Sequence, residues 1–144
     1  MKEIIGNLFD QKADVLCITT NGTLRGKRGV MGAGCAKEAK DNWPAIDVAL
    51  GNQLMQRGNV VSILKMLLEY YLVSFPVKNH YSETASLSLI ERSCQQVVDM
   101  ANRMGWRKIV IPQPGCGCGR LNWEQVRPIC LKYLDDRFYI ITKR

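Results

Sequence analysis

Asp14-Val15-Leu16-Cys17-Ile18-Thr19-Thr20 is a nearly unbroken apolar run of strand length, and it passes directly into TNGTLRGKRGVMGAG (Thr20–Gly34). An uninterrupted run of this kind reads as a strand covered on both faces, since a half-exposed strand alternates apolar with polar. The Asn21-Gly22 pair then signals a turn. From Gly22 to Gly34 there are five glycines, so a loop with no regular element is expected there. Helix formers take over at Cys35 (Ala36, Lys37, Glu38, Ala39, Lys40), so a buried strand, a glycine-rich loop and a helix follow one another.

The same order recurs near the other end. Lys108-Ile109-Val110-Ile111-Pro112 reads as a second buried strand leading into PQPGCGCG (Pro112–Gly119). Asn122 is placed to cap a last helix over 123–134, which Pro128 should kink or whose start it should shift. Between the two units, Pro44 opens a helical segment with Ile46, Ala49, Leu50 and Leu54 at helical spacing. Residues 59–64 and 70–75 read as neighbouring strands, the second ended by Pro76. Leu87–Met104 is a helix with Leu87, Ile90, Cys94, Val97, Val98 and Ala101 on its apolar stripe, Ser86 as cap and Gly105 as stop. Lys2–Ile5 and Phe138–Thr142 supply the outer strands. Strands alternating with helices indicate an α/β fold, expected as one domain over residues 1–144.

Composition narrows the function. The chain has 144 residues, 47% of them hydrophobic, enough for one core. No apolar stretch approaches the roughly 20 residues of a membrane span, and MKEIIGNLFDQK breaks before any signal-peptide core could form. A monomer in the cytoplasm, with no membrane partner, is expected. Six cysteines (Cys17, Cys35, Cys94, Cys116, Cys118, Cys130) show no secreted-scaffold framework and are read as reduced thiols. Cys116-x-Cys118 is not a zinc spacing and only His80 could assist, so no metal is expected. The net charge of +7 suits anionic partners, nucleic acid included, although a solvated basic surface is the plainer reading. Its excess sits in Arg25, Lys27 and Arg28, in Arg103, Arg107 and Lys108, and in Lys143 and Arg144.

In an open α/β sheet ligands lie beyond the carboxyl ends of the strands. Glycines there let backbone N–H groups reach phosphate oxygens, and a helix start adds positive partial charge. Two such loops side by side would cradle two linked phosphates; the alternative is that the glycines only permit tight turns. Gly26-Lys27 lacks Walker spacing, Lys37 stands where a dinucleotide fingerprint needs its third glycine, and there is no G-x-S-x-G elbow.

Gly6-Asn7-Leu8-Phe9, the strand ending in Thr20-Asn21-Gly22, Gly29-Val30-Met31-Gly32-Ala33-Gly34, and Pro114-Gly115-Cys116-Gly117 followed by Leu121-Asn122-Trp123 together resemble the macrodomain family. The resemblance implies a three-layer α/β/α fold with a mixed central sheet. It also implies ADP-ribose as ligand or product, no cofactor, and in many members removal of ADP-ribose from macromolecules. It assigns ligand contacts to Asn7, Leu8, Gly29, Val30, Met31, Gly32, Ala33 and Gly34, and to Gly115, Cys116, Gly117, Cys118 and Gly119.

Phe75-Pro76-Val77-Lys78-Asn79-His80-Tyr81 resembles a stretch of the branch that holds the DarG antitoxin macrodomain and the terminal ADP-ribose–protein glycohydrolase. On that resemblance Lys78 stands at the antitoxin's catalytic lysine, Asn21 faces the distal ribose, and His80 orients a hydroxyl or Lys78. Each has a plainer reading: a surface lysine, a left-handed turn residue, a structural histidine. Tyr81 and Trp123 are candidates for stacking on a base, or core. Asn7 replaces the family's adenine-contacting aspartate, able to accept but without charge. Gly119 stands where the protein-directed glycohydrolase has an acid, and Phe75 where it has its lysine, so that enzyme's mechanism does not carry over. Three activities follow: hydrolysis of ADP-ribosyl linkages, DNA-linked favoured over protein-linked; binding without turnover, as a reader or sponge; and ADP-ribose 1″-phosphate phosphatase.

Overall fold

The computed structural model describes residues 1–143, so Arg144 of the basic tail lies outside the described residues. Its elements are β1 (Lys2–Ile5), β2 (Val15–Asn21), β3 (Leu24–Arg25), β4 (Arg28–Gly29), α1 (Gly34–Asn42), α2 (Ile46–Arg57), β5 (Ser62–Met66), β6 (Tyr71–Lys78), α3 (Leu87–Met104), β7 (Ile109–Pro112), α4 (Trp123–Tyr133) and β8 (Phe138–Thr142). A single 3-10 turn covers Leu8–Asp10.

Six strands form one sheet in the order β1-β8-β7-β2-β6-β5. All neighbours are parallel except β5, which runs antiparallel to β6. The sheet is therefore mixed, as the resemblance implied. Along β2 the side chains alternate between two cores. Val15 and Cys17 point to the layer of α3 and α4, with Ile90, Cys94, Val97, Val126 and Cys130. Leu16 and Ile18 point to the layer of α1 and α2, with Ala39, Ile46 and Leu50. Both faces are dry, which is why β2 reads as a continuous apolar run. No described helix is long and apolar enough to cross a membrane.

Local expectations fail where tertiary neighbours intervene. The Gly22–Gly34 segment is not wholly irregular: Leu24–Arg25 and Arg28–Gly29 pair as a small antiparallel hairpin around Gly26, whose φ of +64° supplies the turn. This hairpin packs so closely on α2 that a Cβ on Gly51 would stand 1.9 Å from the Lys27 carbonyl oxygen. Pro76 does not end its strand; β6 continues to Lys78. Pairing with β5 stops at Ser74, so Pro76 has a strand partner only in β2, a position that tolerates the missing N–H. Helix α4 starts after Asn122 and runs through Pro128, with Asn122 and Gln125 closing a reciprocal capping box. On α3, Ser86 accepts from the Leu89 N–H and Gly105 is left-handed at φ 70°. Leu87, however, is exposed, and the buried face is carried by Leu89, Ile90, Ser93, Cys94, Val97, Met100 and Ala101.

Candidate functional site

Four parallel strands end at one edge of the sheet, and that edge opens into a cleft of about 840 Å3. Its floor is made by Thr19–Asn21 from β2, Val77 and Lys78 from β6, Pro112 from β7, and Ile141 and Thr142 from β8. The two glycine-rich loops form its walls, through Val30 and Gly32–Ala36 on one side and Gly115–Arg120 on the other. They meet closely: a Cβ on Gly34 would lie 3.8 Å from the Cys118 sulfur.

The glycines divide by purpose. Nothing lies within 4 Å of where a Cβ would stand on Gly32 or Gly117, so these two offer bare backbone to open space. Gly115 and Gly119 instead let their loop close on itself: a Cβ on Gly119 would sit 2.4 Å from the Gly115 oxygen, and Gly115 has φ +73°. Gly29 is required by α2, since a Cβ there would meet Leu50 at 2.5 Å. Helix α1 begins behind Gly32 with Ala33 as its cap residue, and no side chain caps it. Its first N–H groups are thus available to an anion in the cleft.

The resemblance also proposed Asn21, Lys78 and His80 as a group. Asn21 and Lys78 stand opposite each other in the β2–β6 register, and both line the cleft. The Lys78 ammonium donates to the Cys118 carbonyl at 3.0 Å and to the Tyr81 carbonyl at 3.4 Å, so it reaches across to the second loop. The Asn21 side chain donates to the Val30 carbonyl at 3.0 Å and accepts from the Thr23 N–H at 2.9 Å. Both of its ends hold the first loop to the strand, and it lies in β2 rather than in a left-handed turn. His80 is exposed and bonds Ser82 Oγ at 2.7 Å; it is not among the cleft-lining residues.

Asn7, Leu8, Gly29 and Met31 are likewise outside the lining. Leu8 is buried in the core under α1 and α2. The Asn7 amide donates to Asp10 at 3.2 Å. Gly29 and Met31 line a smaller neighbouring cavity. Tyr81 lines the cleft, whereas Trp123 packs against the α3–α4 core and donates its indole N–H to Glu3 at 2.9 Å. No group of three or more metal-ligating side chains occurs among the described residues.

Several lining residues had no signal in the sequence. Glu38 of α1 pairs with Lys143 beyond β8, and both line the cleft. They are distant in sequence and meet only through the sheet order. Thr20 is buried, yet its Oγ1, at the cleft floor, has no hydrogen-bond partner among the described residues. Cys35 also lines the cleft; its thiol lies 3.2 Å from Thr19 Oγ1, and burial pushes its pKa up. Burial likewise raises Cys116 to about 11.

A mixed sheet between two helical layers, with two glycine loops facing each other beyond its strand ends, defines an α/β domain with a cleft at its strand ends. The Macro domain family model matches residues 19–130, and the chain belongs to that family. It is similar to the DNA ADP-ribosyl glycohydrolase of Thermus aquaticus, 27% identical over 133 residues, covering 88% of this chain and 36% of that protein. Among solved structures it resembles the macrodomain of Mycobacterium tuberculosis DarG (TM-score 0.82, 22% identical, 98% of this chain and 97% of that one). Thermosipho africanus DarTG in complex with ADP-ribose is similar too (TM-score 0.81, 21% identical, all of this chain and 42% of that one). The two structural likenesses show the fold. The chain spans 36–37% of the length of the curated relatives it matches.

Proposed function

We propose that this chain is a single domain that binds ADP-ribose and hydrolyses an ADP-ribosyl linkage on a macromolecule, with DNA favoured over protein. One observation carries the reading: Lys78 stands in the cleft between two glycine-rich loops, held by the Cys118 carbonyl at 3.0 Å. The cleft lies within the size range of small-molecule sites, about 300–1,000 Å3. Gly32 and Gly117 in the two walls suit a diphosphate, because beside them N–H groups can reach its oxygens with no side chain between. The relatives point the same way, one being named a DNA ADP-ribosyl glycohydrolase and another having been solved with ADP-ribose. The net charge of +7 favours a nucleic-acid carrier.

Lys78 has two chemical routes. As a neutral amine it attacks the ribose C1″ carbon while the modified base leaves, and water then hydrolyses the resulting carbon–nitrogen bond and restores the amine. As an ammonium it donates its proton to the leaving base while water attacks. A binding-only reading has an observation of its own. Glu38 is the only carboxylate among the described cleft-lining residues, and it is paired with Lys143. Among the described lining residues, no unpaired acid stands ready to activate water.

The test compares release of ADP-ribose from an ADP-ribosylated oligonucleotide and from an ADP-ribosylated protein, alongside calorimetry with free ADP-ribose. Release from DNA supports the main reading. Binding without release from either conjugate selects the binding-only reading, and absence of binding overturns both.

A further inference from the structure

Beside the main cleft lies a second cavity of about 170 Å3, between the β3–β4 hairpin and the helices α1 and α2. Arg25, Arg28, Lys40, Asp47 and the Gly29–Gly32 backbone line it. Arg25, Val30 and Gly32 belong to both cavities, so the two share a wall. This volume falls below the range for a drug-sized ligand and suits a group of few atoms.

The charge in this cavity is arranged rather than scattered. Asp47 is 2% exposed, and its carboxylate holds Arg28 at 3.1 Å and Lys40 at 3.6 Å. Two long cationic side chains that would otherwise roam the surface are thereby fixed at the cavity rim, where 59% and 48% of their side-chain surface stays open to solvent. Arg25 has no acidic partner among the described residues, and its guanidinium lies 5.9 Å from the Tyr81 ring. Three cations against one carboxylate leave a net positive pocket, which attracts an anion.

The two cavities are also linked by contacts. Lys78 donates to the Tyr81 carbonyl, the Tyr81 N–H donates to Thr23 Oγ1 at 2.9 Å, and the Tyr81 ring faces Arg25. A chain of contacts thus leads from the lysine in the main cleft, over an exposed tyrosine, to the cationic pocket.

We propose that this second cavity seats a backbone phosphate of the DNA that carries the ADP-ribose, with Arg28 and Lys40 pre-set by Asp47 and Arg25 shared with the main cleft. The inference rests on the DNA-linked reading above and adds where the strand runs. Phosphate contacts set position and register without reading sequence, so the seat is expected to be indifferent to base identity.

The experiment uses a fluorescein-labelled, unmodified single-stranded DNA oligonucleotide, with affinity measured by anisotropy across a salt series. Each phosphate neutralised contributes about 0.7 to the slope of log K against log salt for a single strand. Lys40→Gln should weaken binding severalfold and reduce that slope by about 0.7. Lys132→Gln on α4, in the opposite helical layer, should leave the slope unchanged. An unchanged slope in Lys40→Gln, or an equal loss in Lys132→Gln, overturns the proposal; so does tighter binding of an acidic peptide than of the oligonucleotide. Calorimetry with free ADP-ribose separates the two levels. Absence of that binding defeats the main reading, while intact binding with an unaltered DNA slope defeats only this one.

Discussion

Lys78 and Cys118 are 40 residues apart, and the ammonium of the first donates to the carbonyl of the second at 3.0 Å. This bond ties the end of β6 to the second glycine loop and fixes the lysine on the cleft. If Lys78 acts on the ribose carbon, Lys78→Ala should lower turnover by about 10²-fold or more, within the range of general acid–base or nucleophilic contributions. Affinity for free ADP-ribose should change less than about tenfold, since about 1.4 kcal/mol covers the loss of one peripheral hydrogen bond. Single-turnover release and calorimetry on the same variant check the pair. Equal turnover removes the lysine from the chemistry.

The glycines predict a contrast between binding and stability. Gly32→Ala and Gly117→Ala place a methyl group where nothing lies within 4 Å, so both should melt near the parent temperature. Both should bind ADP-ribose at least several-fold more weakly, because the methyl stands where a phosphate would approach. Gly51→Ala should do the reverse, driving a Cβ to 1.9 Å from the Lys27 carbonyl oxygen and destabilising by about 3 kcal/mol or more. Thermal melts and titrations on the three proteins test this ordering.

The thiols differ in access. Burial raises the pKa of Cys17, Cys35 and Cys116, and Cys94 is raised by its hydrogen bond to Cys130 and by burial. Cys118 is the exposed cysteine and stands on the cleft wall. Mild alkylation near pH 8 should therefore label Cys118 first, because the thiolate is the reactive form, the raised pKa values keep Cys17, Cys35, Cys94 and Cys116 protonated, and Cys130 is buried. Bound ADP-ribose should slow that labelling, and the labelled protein should bind ADP-ribose weakly. Mass spectrometry of partly labelled protein, with and without ADP-ribose, decides it.

Glu3 predicts an acid-dependent loss of stability. Its carboxylate accepts from Trp123 Nε1 at 2.9 Å and from Arg127 Nε at 3.1 Å, joining edge strand β1 to the start of α4. The Trp123 bond, and then the Arg127 bond and charge, hold its pKa below the usual 4.5. Because the folded value is the lower one, the stabilisation is complete above the unfolded pKa and is lost as pH falls through the folded value. Glu3→Gln should melt earlier than the parent at pH 7, and the difference should shrink below about pH 4. The exposure of both partners keeps the effect small, of order 1 kcal/mol or less.

Much of this fold is legible in the sequence. The run from Val15 to Thr20 is apolar at every position that faces either core, so its burial could be read directly. The amphipathic stripe of α3 and its Ser86 cap were equally local signals. The β3–β4 hairpin was not legible, because its two-residue strands are held by packing on α2 rather than by propensity. Pro76 misled for a related reason: whether a missing N–H matters depends on which neighbour is absent, and the sequence does not show where β5 stops pairing.

For the site, local signals suffice to show that two glycine-rich loops follow two buried strands, because strand, turn and helix preferences act over a few residues. The packing of the layers sets both loops on one edge, leaves Gly32 and Gly117 bare while Gly29 and Gly119 serve packing, and keeps His80 out of the cleft lining. It also decided that Asp47 gathers Arg28 and Lys40 beside the cleft. These outcomes follow from the sheet order, which sets β2 between β7 and β6 and brings distant residues into contact. Such contacts depend on how whole layers pack, and no local pattern of residues encodes them.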